Sequence, residues 1–266
     1  MAEPTLEIAP LVGKGFCSDV YAWGEGRVLK LFHGWVARER AEREYAATRA
    51  VHAAGLPAPA AYELVEVEGR FGIVFERIDG VSLLEYTQAR PWALFGAIRQ
   101  FAELHAQIHR STAPAGLPTL RQRIAARIEA SDAPAVDKQA ARDRLADLPD
   151  GTALCHGDYH PGNVLVTPRG HVLIDWGSAS HGDPMGDVAC TSRLMRSAKL
   201  PPWSPGYMHL LLKCLRPAMH RSYLKRYLQL QPGTQRQVEI WRAPLAVAAR
   251  SWRLPVVPAD LSRRAC

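Results

Sequence analysis

The densest run of polar residues in the sequence is Cys155–Asn163, which reads CHGDYHPGN. Two apolar segments follow it, Val164–Val166 and Val172–Ile174, on either side of a turn at residues 167–170. Apolar segments of this length around a turn predict a β-hairpin. The polar run therefore leads directly into a hairpin that would hold its residues in fixed positions.

The register of this hairpin places two metal-type ligands side by side. Counting outward from a four-residue loop pairs Val166 with His171 and Asn163 with Ile174, so Asn163 and Asp175 lie at the same end. A carboxylate and an amide oxygen are hard ligands of the kind that Mg²⁺ takes together with water and phosphate. The spacing predicts a magnesium site at this end of the hairpin.

Asp158 lies five residues before Asn163, in the segment that enters the hairpin. This position is close to the predicted metal site without requiring Asp158 to bind it, which suits a general base for a hydroxyl group. Zinc or iron ligation is a weaker alternative, because the Pro161-Gly162 turn and the asparagine fit that chemistry poorly; its ligands would be His156, Asp158, His160 and Asp175. Simple turn chemistry is a second alternative, which explains each residue singly.

The first eighty residues add groups that fit phosphate chemistry. The segment from Gly13 through Gly15 to Ser18 predicts a loop whose backbone N–H groups can surround an anion. We predict strands at Leu6–Val12, Asp19–Trp23 and Arg27–Phe32. Pairing across the turn at Gly24–Gly26 sets Lys30 opposite Val20.

Further elements are predicted along the rest of the chain. A helix at 38–54 carries Glu42 and Glu44, and Gly55-Leu56-Pro57 ends it. The other predicted elements are strands at Tyr62–Glu68 and Arg70–Ile78, a helix at 94–108 with His105 on its buried side, an Ala/Arg-rich helix at 120–148 interrupted near Pro134, and helices at Tyr207–Tyr227 and Val238–Trp252. Asp79-Gly80 breaks the strand pattern, and we place the boundary between two lobes there.

Composition limits the class of protein. The chain has 266 residues with 47% hydrophobic and 22% charged residues, ordinary values for a globular protein. Its five cysteines are widely spread without a C-x-x-C pair, so neither a disulfide framework nor a zinc site is indicated. No signal peptide or membrane-spanning run is visible. We expect a soluble cytoplasmic protein without a membrane partner.

The net charge of +7 is unevenly distributed. From Cys190 onward there are 14 Lys and Arg residues against only Glu239 and Asp260. Such an excess fits a nucleic acid, an anionic substrate or a solvated helical face. No recognition helix or RNA-binding aromatic motif supports a nucleic-acid partner.

The pattern His156-Gly-Asp158-x-His160-x-x-Asn163, then Ile174-Asp175-Trp176 and Gly182-Asp183-Pro184-x-x-Asp187, resembles the signature of the aminoglycoside phosphotransferase and choline kinase-like family. The resemblance covers the chain from the glycine loop to about Leu194. It implies an α+β, protein-kinase-like two-lobed fold with a small β-rich lobe at residues 1–78, a hinge, and a larger helical lobe at 79–266. The catalytic hairpin would occupy about 154–176, with acceptor-binding helices around it.

The resemblance also implies roles for the chemistry-bearing residues. Asp158 corresponds to the aspartate that accepts the proton of the acceptor hydroxyl, and Asn163 and Asp175 to the Mg²⁺ ligands. Lys30 corresponds to the lysine on the nucleotide phosphates. Glu44 is the better match to the glutamate that pairs with this lysine, with Glu42 as its competitor.

Three further parts of the chain match the family. Gly13 and Gly15 correspond to the phosphate loop, in which Ser18 replaces the third glycine. The segment 75–78, with Glu76 and Ile78, would be the hinge whose backbone meets the adenine. The remaining matches have structural explanations as well: Asp183 as a helix cap, Asp187 as a first-turn carboxylate or as the brace of the catalytic loop, and His156 and His160 as loop-shaping residues.

From these residues we predict an ATP- and Mg²⁺-dependent phosphotransferase that acts on a hydroxyl of a small molecule. The basic C-terminal region favours a neutral or anionic acceptor over a polycationic aminoglycoside, which remains an alternative through the acidic residues of 79–150. A catalytically silent nucleotide-binding regulator is the other alternative. The sequence leaves open the acceptor's identity, the choice between ATP and GTP, and the oligomeric state.

Overall fold

The computed structural model describes residues 9–197 and 206–252, and for residues 206–212 and Trp252 it describes the backbone alone. Within these ranges the fold is α+β, with a β-sheet in the N-terminal part and helices in the C-terminal part. The predicted fold class is confirmed. Residues 6–8 of the first predicted strand and the basic residues beyond 252 lie outside the described residues.

The N-terminal part is a five-stranded antiparallel sheet in the order β1-β2-β3-β5-β4. Its strands are β1 (Leu11–Lys14), β2 (Ser18–Ala22), β3 (Arg27–Phe32), β4 (Ala61–Val67) and β5 (Arg70–Glu76). Val20 pairs with Lys30, as predicted. The described part of β1 begins at Leu11 and runs to Lys14, so Gly13 belongs to a strand and the predicted loop is shorter than expected.

Residue alternation along β3 determines the direction of Lys30. Leu29 and Leu31 are buried in an apolar cluster on one face of the sheet, and Phe32 is buried in a different cluster that includes Ala41 of helix α1 (Arg38–Ala53). Because successive strand side chains point to opposite faces, Lys30 shares the face of Phe32 and α1. The alternation thus directs the ammonium group toward the helix that carries the candidate glutamates.

The C-terminal part contains eight α-helices within the described residues. These are α2 (Leu83–Ala89), α3 (Leu94–His109), α4 (Leu120–Glu129), α5 (Ala135–Ala146), α6 (Pro184–Ser197), α7 (Gly206–Leu230), α8 (Gln235–Glu239) and α9 (Arg242–Ala248). The predicted interruption near Pro134 is confirmed between α4 and α5. The helix predicted at Val238–Trp252 is wrong as one element, because α8 ends at Glu239 and the fully buried Trp241 precedes α9.

The predicted hairpin is present directly after the polar segment Cys155–Asn163. Strands β8 (Val164–Thr167) and β9 (Gly170–Leu173) pair with Val166 opposite His171, which confirms the predicted register. Strand β6 (Val81–Ser82) extends this small sheet, and β7 (Ala153–Cys155) pairs with β10 (Ser180–Gly182). Both strand pairs fix the segment between them.

The passage between the two parts of the chain is short. Strand β5 ends at Glu76 and β6 begins at Val81 against β8. A Cβ on Gly80 would lie 2.7 Å from the carbonyl oxygen of Val166, so only glycine lets the chain cross the hairpin this closely. Residues 1–78 and 79–266 remain our proposed lobes. No helix among the described residues has the length and apolar character that crossing a membrane requires.

Candidate active site

Lys30 lies between two carboxylates. Its Nζ donates to Glu44 Oε1 at 2.6 Å and is 3.3 Å from Asp175 Oδ1. Glu42 instead pairs with Arg38 on the exposed side of α1 at 2.7 Å. The structure therefore brings Glu44, and not Glu42, to the strand lysine. Through its contact with Asp175, Lys30 also joins the N-terminal sheet to the end of the predicted catalytic hairpin.

Burial and charge act against each other in this cluster. Burial lowers the pKa of Lys30, but the carboxylates of Asp175 and Glu44 raise it above its ordinary value. Burial, together with the like charge of Asp175, raises the pKa of Glu44 to about 7 although Lys30 lowers it. The pKa of Asp175 is lowered, because Lys30 and His156 outweigh the effect of its burial. One ammonium group thus serves two carboxylates, and the cluster retains an excess of negative charge.

Asp175 owes its position to an uncommon backbone conformation. It follows β9 with φ 64° and ψ 58°, the left-handed region that aspartate tolerates better than most residues. The preceding residue, Ile174, donates its N–H to the Asn163 carbonyl at 2.9 Å. The predicted pairing of Asn163 with Ile174 is confirmed, and the two candidate metal ligands lie at one end of the hairpin.

The oxygens at this end suit a divalent cation. The amide Nδ2 of Asn163 donates to the Asp158 carbonyl at 3.0 Å, which leaves its Oδ1 without a hydrogen bond from any described residue. The Asp175 side chain remains 34% exposed although Lys30 is close to it. An amide oxygen and a partly exposed carboxylate in a negatively charged environment are a donor set that Mg²⁺ accepts.

The Asp158 side chain is held in place by its loop while its carboxylate stays available. It is 17% exposed, and His160 Nε2 lies 4.0 Å from its Oδ2. The loop is shaped by the histidines: His156 Nδ1 accepts from the Asp158 N–H at 3.2 Å and its Nε2 donates to the Ile174 carbonyl. His160 Nδ1 accepts from the Gly162 N–H. Both histidines therefore make hydrogen bonds within the loop, in agreement with the structural explanation.

The catalytic loop is also held from behind by Asp187. Its two carboxylate oxygens accept the N–H of His156 at 2.7 Å and the N–H of Gly157 at 2.9 Å. The side chain is fully buried. Hydrogen bonds from His105 and His109 lower the pKa of Asp187 well below its usual value in spite of its burial. The carboxylate therefore holds the backbone immediately before Asp158.

Asp187 has a second set of partners that the sequence analysis did not find. His105 Nε2 and His109 Nε2 each lie 3.2 Å from its Oδ2. Their Nδ1 atoms contact the hydroxyls of Tyr223 and Tyr227. Burial, with the charge of His109, lowers the pKa of His105 to about 3, so its ring is neutral. A neutral ring that donates from Nε2 must accept at Nδ1, and the tyrosine hydroxyl is then the donor.

This network had a signal in the sequence. His105 and His109 are four residues apart on α3, and Tyr223 and Tyr227 are four residues apart on α7. Two such i, i+4 pairs place polar groups on one face of each helix. The expectation that His105 is a core histidine with satisfied hydrogen bonds is confirmed, and His109 joins it.

The glycine loop folds into a tight turn. Gly15 donates its N–H to the Ser18 carbonyl at 2.8 Å, and a Cβ on Gly15 would lie 2.8 Å from that same oxygen. Ser18 is buried and opens β2 opposite Phe32. Gly13 lies in β1 opposite Val20, the residue that also pairs with Lys30. The loop and the lysine are thus fixed by the same three strands.

The hinge segment offers one clear set of free backbone groups. The N–H of Glu76 donates to the Ala60 carbonyl at 2.8 Å, and the Glu76 side chain accepts the Ala60 N–H at 3.1 Å. Ile78, two residues later, makes no backbone hydrogen bond with the described residues. In the segment predicted as the hinge, the N–H and C=O of Ile78 are therefore without a backbone partner among the described residues, whereas the N–H of Glu76 is already used.

A sequence model of the phosphotransferase enzyme family (APH) matches residues 9–225. The chain belongs to the phosphotransferase enzyme family. The match includes the glycine loop, Lys30, Glu44 and the whole catalytic hairpin. The resemblance inferred from the sequence motifs is therefore confirmed, and the match continues into α7.

Solved structures of similar fold support the kinase-like assignment of this phosphotransferase. An aminoglycoside-3'-phosphotransferase of type VIII is 21% identical, with 90% of this chain and 93% of that chain covered and a TM-score of 0.62. A choline/ethanolamine kinase family protein from Mesorhizobium loti is 20% identical, with coverage of 92% and 77% and a TM-score of 0.58. The amicoumacin kinase hAmiN, in complex with AMP-PNP, Ca²⁺ and Ami, is 14% identical, with coverage of 98% and 86% and a TM-score of 0.59. No curated protein matches this phosphotransferase in sequence.

Proposed function

We propose that this phosphotransferase transfers the γ-phosphoryl group of ATP to a hydroxyl of a small-molecule acceptor that is neutral or anionic, with Mg²⁺ as the metal. The observation that carries the proposal is the cluster in which Lys30 joins Glu44 to Asp175, at the same hairpin end as Asn163 and close to Asp158. Family membership and the AMP-PNP and Ca²⁺ named with the amicoumacin kinase support a nucleotide and a divalent cation.

Each group of the site has a part in binding and charge neutralisation. Asn163 Oδ1 and the Asp175 carboxylate would hold Mg²⁺, which supplies positive charge to the phosphates when it is bound. Lys30 adds a second positive charge, and Glu44 holds its Nζ in place. The turn at Gly15–Ser18 and the free backbone of Ile78 would receive the phosphates and the adenine. Catalysis in this arrangement rests mainly on positioning and electrostatic stabilisation.

The chemical step needs one proton acceptor. The acceptor's hydroxyl oxygen forms a bond to the γ-phosphorus while the bond from that phosphorus to the β–γ bridging oxygen breaks, so ADP leaves with the electron pair. The hydroxyl proton passes to the Asp158 carboxylate, which accepts no hydrogen bond from the described residues. The brace at Asp187 keeps this carboxylate at a fixed distance from the metal ligands.

A second candidate acceptor class is the aminoglycosides. It is favoured by several structural neighbours, among them an aminoglycoside phosphotransferase solved with hygromycin B. The excess of basic residues beyond Cys190 argues against it, because several ammonium groups on an acceptor need carboxylates around them.

Replacing Asp158 by asparagine tests the proposal directly. We expect Asp158→Asn to lower kcat by about 10²–10⁴, because it removes the proton acceptor. Binding of Mg²⁺ and AMP-PNP, measured by calorimetry, should remain near the wild-type value, since the carboxylate serves the hydroxyl group. Asp147→Asn, at an exposed position at the end of α5, is the matched control and should leave kcat unchanged.

Two outcomes would contradict the proposal. Wild-type turnover in Asp158→Asn would show that this carboxylate does not accept the proton. A wild-type protein that binds the nucleotide but phosphorylates no acceptor in a broad metabolite panel would indicate a nucleotide-binding regulator instead.

A further inference from the structure

A cavity of about 290 Å³ lies between helices α6, α7, α8 and α9. It is separate from the cluster around Lys30 and from the glycine loop. Its walls are formed by helices of the C-terminal part, and its volume is close to that of a small-metabolite site. The cavity is therefore large enough for a polar group of an acceptor.

The charged groups that line the cavity are mostly cationic. Arg193 and Arg196 come from α6, and Arg242 comes from the start of α9. Among the described residues the lining has one carboxylate, Glu239, which accepts a hydrogen bond from the side-chain amide of Gln235 at 2.7 Å. Three guanidinium groups against one carboxylate give the cavity a positive charge, which favours an anionic occupant.

Two polar atoms of the cavity wall lack a partner among the described residues. Ser192 is 7% exposed, and its buried Oγ has no hydrogen-bond partner. The buried Nε2 of His220 also has none. Burial and the charges of Arg196 and Arg242 lower the pKa of His220, which shows that these three groups converge. Buried polar atoms are normally satisfied, so this pair indicates a place for a bound polar ligand.

The cavity is connected to the catalytic loop through α6. This helix carries Asp187, the brace of the loop, and Arg193 and Arg196 lie six and nine residues further on. At 1.5 Å per residue these spacings correspond to roughly 9 and 14 Å along the helix. Arg193 is also close enough to Asp158 for its pKa to be raised by that charge, against the larger opposing effect of burial. Arg193 therefore belongs both to the cavity wall and to the electrostatic surroundings of Asp158.

We propose that this cavity binds a carboxylate or phosphate group of the acceptor through Arg196 and Arg242, with Arg193 on the side nearer Asp158, while the acceptor's hydroxyl lies at Asp158. The inference rests on the proposed function and narrows the acceptor to an anionic hydroxyl compound. Guanidinium groups suit this task, because their N–H donors match the geometry of carboxylate and phosphate oxygens. A polycationic acceptor would instead be repelled by these guanidinium groups.

The first test compares acceptors that differ in the anionic group. Glycerate is paired with glycerol, gluconate with glucose, and glucose 6-phosphate with glucose, with kanamycin as the cationic arm. We expect kcat/KM for ADP release to be at least about tenfold higher for the anionic member of a pair, the ratio that one charge-assisted contact provides. Preference for the neutral member would overturn the inference while leaving the proposed function intact. Efficient phosphorylation of kanamycin would overturn the inference and also the neutral or anionic acceptor of the proposed function, in favour of the aminoglycosides.

The second test measures anion binding without turnover. Inorganic phosphate is titrated calorimetrically into wild-type protein saturated with Mg²⁺ and AMP-PNP, which fills the nucleotide site. The double variant Arg196→Gln/Arg242→Gln should weaken phosphate binding about 10- to 100-fold. Arg221→Gln removes the same charge from an exposed position on α7 outside the cavity and should change it little.

Kinetics of the same variants separate binding from chemistry. With an anionic acceptor the double variant should raise KM and leave kcat nearly unchanged, because the cavity contacts are present before and during transfer. Phosphate affinity equal to wild type in the double variant, or absent phosphate binding in the wild type, would overturn the inference. A wild type that binds phosphate in this way but phosphorylates no acceptor would refute the proposed function alone.

Discussion

Two buried carboxylate clusters flank the catalytic hairpin, and their electrostatics differ. In the first, Lys30 lies between Glu44 and Asp175, and Asp175 is 34% exposed. In the second, His105 and His109 donate to Asp187, and all three side chains are fully buried. The first cluster is partly exposed at Asp175, whereas the second is enclosed by α3, α6 and α7.

The two clusters differ in how many of their carboxylate oxygens have hydrogen-bond partners. The buried Oε2 of Glu44 has no hydrogen-bond partner in the described part of the chain, and the two carboxylates share the ammonium group of Lys30. Asp187 by contrast accepts two backbone N–H groups and two histidine Nε2–H groups. An incomplete cluster can take a cation and bind substrate, while a complete one fixes a backbone. We therefore expect a ligand to bind beside the cluster of Lys30, Glu44 and Asp175, where negative charge is only partly compensated.

The largest effect is expected from the open cluster. Asp175→Asn keeps a residue that tolerates the left-handed backbone but removes the negative charge. We expect kcat to fall by about 10²–10³, because the negatively charged ligand of the Mg²⁺ that would neutralise the reacting phosphates is lost. Asn163→Ala removes a neutral oxygen and should cost at most about tenfold. Titration of Mg²⁺ measures the difference, and an unchanged metal requirement in Asp175→Asn would remove Asp175 from the metal site.

The enclosed cluster should respond mainly in stability. Asp187→Asn places an amide donor among N–H donors, so we expect the free energy of unfolding to fall by about 2–3 kcal/mol, the value of a hydrogen bond to a charged group. The catalytic loop would loosen, and kcat would fall with it. Tyr227→Phe is the matched control, since it removes one outer hydrogen bond worth about 1 kcal/mol. Wild-type unfolding of Asp187→Asn in urea would show that the brace contributes little.

The two clusters should have opposite pH dependence. Glu44 has a pKa of about 7 in the folded state against an ordinary 4.5, so the folded state holds more protons in that range and stability falls as pH rises through it. His105 has a pKa lowered from 6.5 to about 3, so the unfolded state holds more protons there and stability rises with pH.

Variants without these groups make the opposite signs measurable. Between pH 4.5 and 6.5, the wild type should lose stability relative to Glu44→Gln and gain it relative to His105→Gln as pH rises. Each difference should change by at most about 1.4 kcal/mol per pH unit, the value for one proton. Urea unfolding across this range measures both differences, and changes of the same sign would contradict the contrast between the clusters.

The positions of Lys30 and Asn163 were predictable from strand pairing across short turns. A three-residue turn sets Lys30 opposite Val20, and a four-residue turn sets Asn163 against Ile174. Both predictions depend on counting residues across one turn. The choice of Glu44 over Glu42 depended on the family resemblance, and the structure supplies its physical basis in the direction of the two side chains on α1.

The enclosed cluster and the basic cavity depend on contacts between distant segments. His105 and Tyr223 are 118 residues apart, and no local pattern shows that α3 and α7 lie side by side. The charge excess beyond Cys190 was visible in the sequence, but the position of Arg193, Arg196 and Arg242 around one cavity follows from the packing of four helices. The break between α8 and α9 was missed because apolar periodicity continues through the buried Trp241.

Trp241 has a consequence for the order in which the protein folds during synthesis. The N-terminal sheet uses only residues 11–76, so its strands can pair as soon as that length of chain has left the ribosome. Trp241 donates from Nε1 to Asp183, which caps the helix that carries the Asp187 brace, and Arg250 contacts Asp132 across 118 residues. The contacts that support the catalytic loop therefore become complete only after nearly all of the described chain has been synthesised. In a nascent chain, the N-terminal sheet would therefore form well before the catalytic loop reaches its final structure.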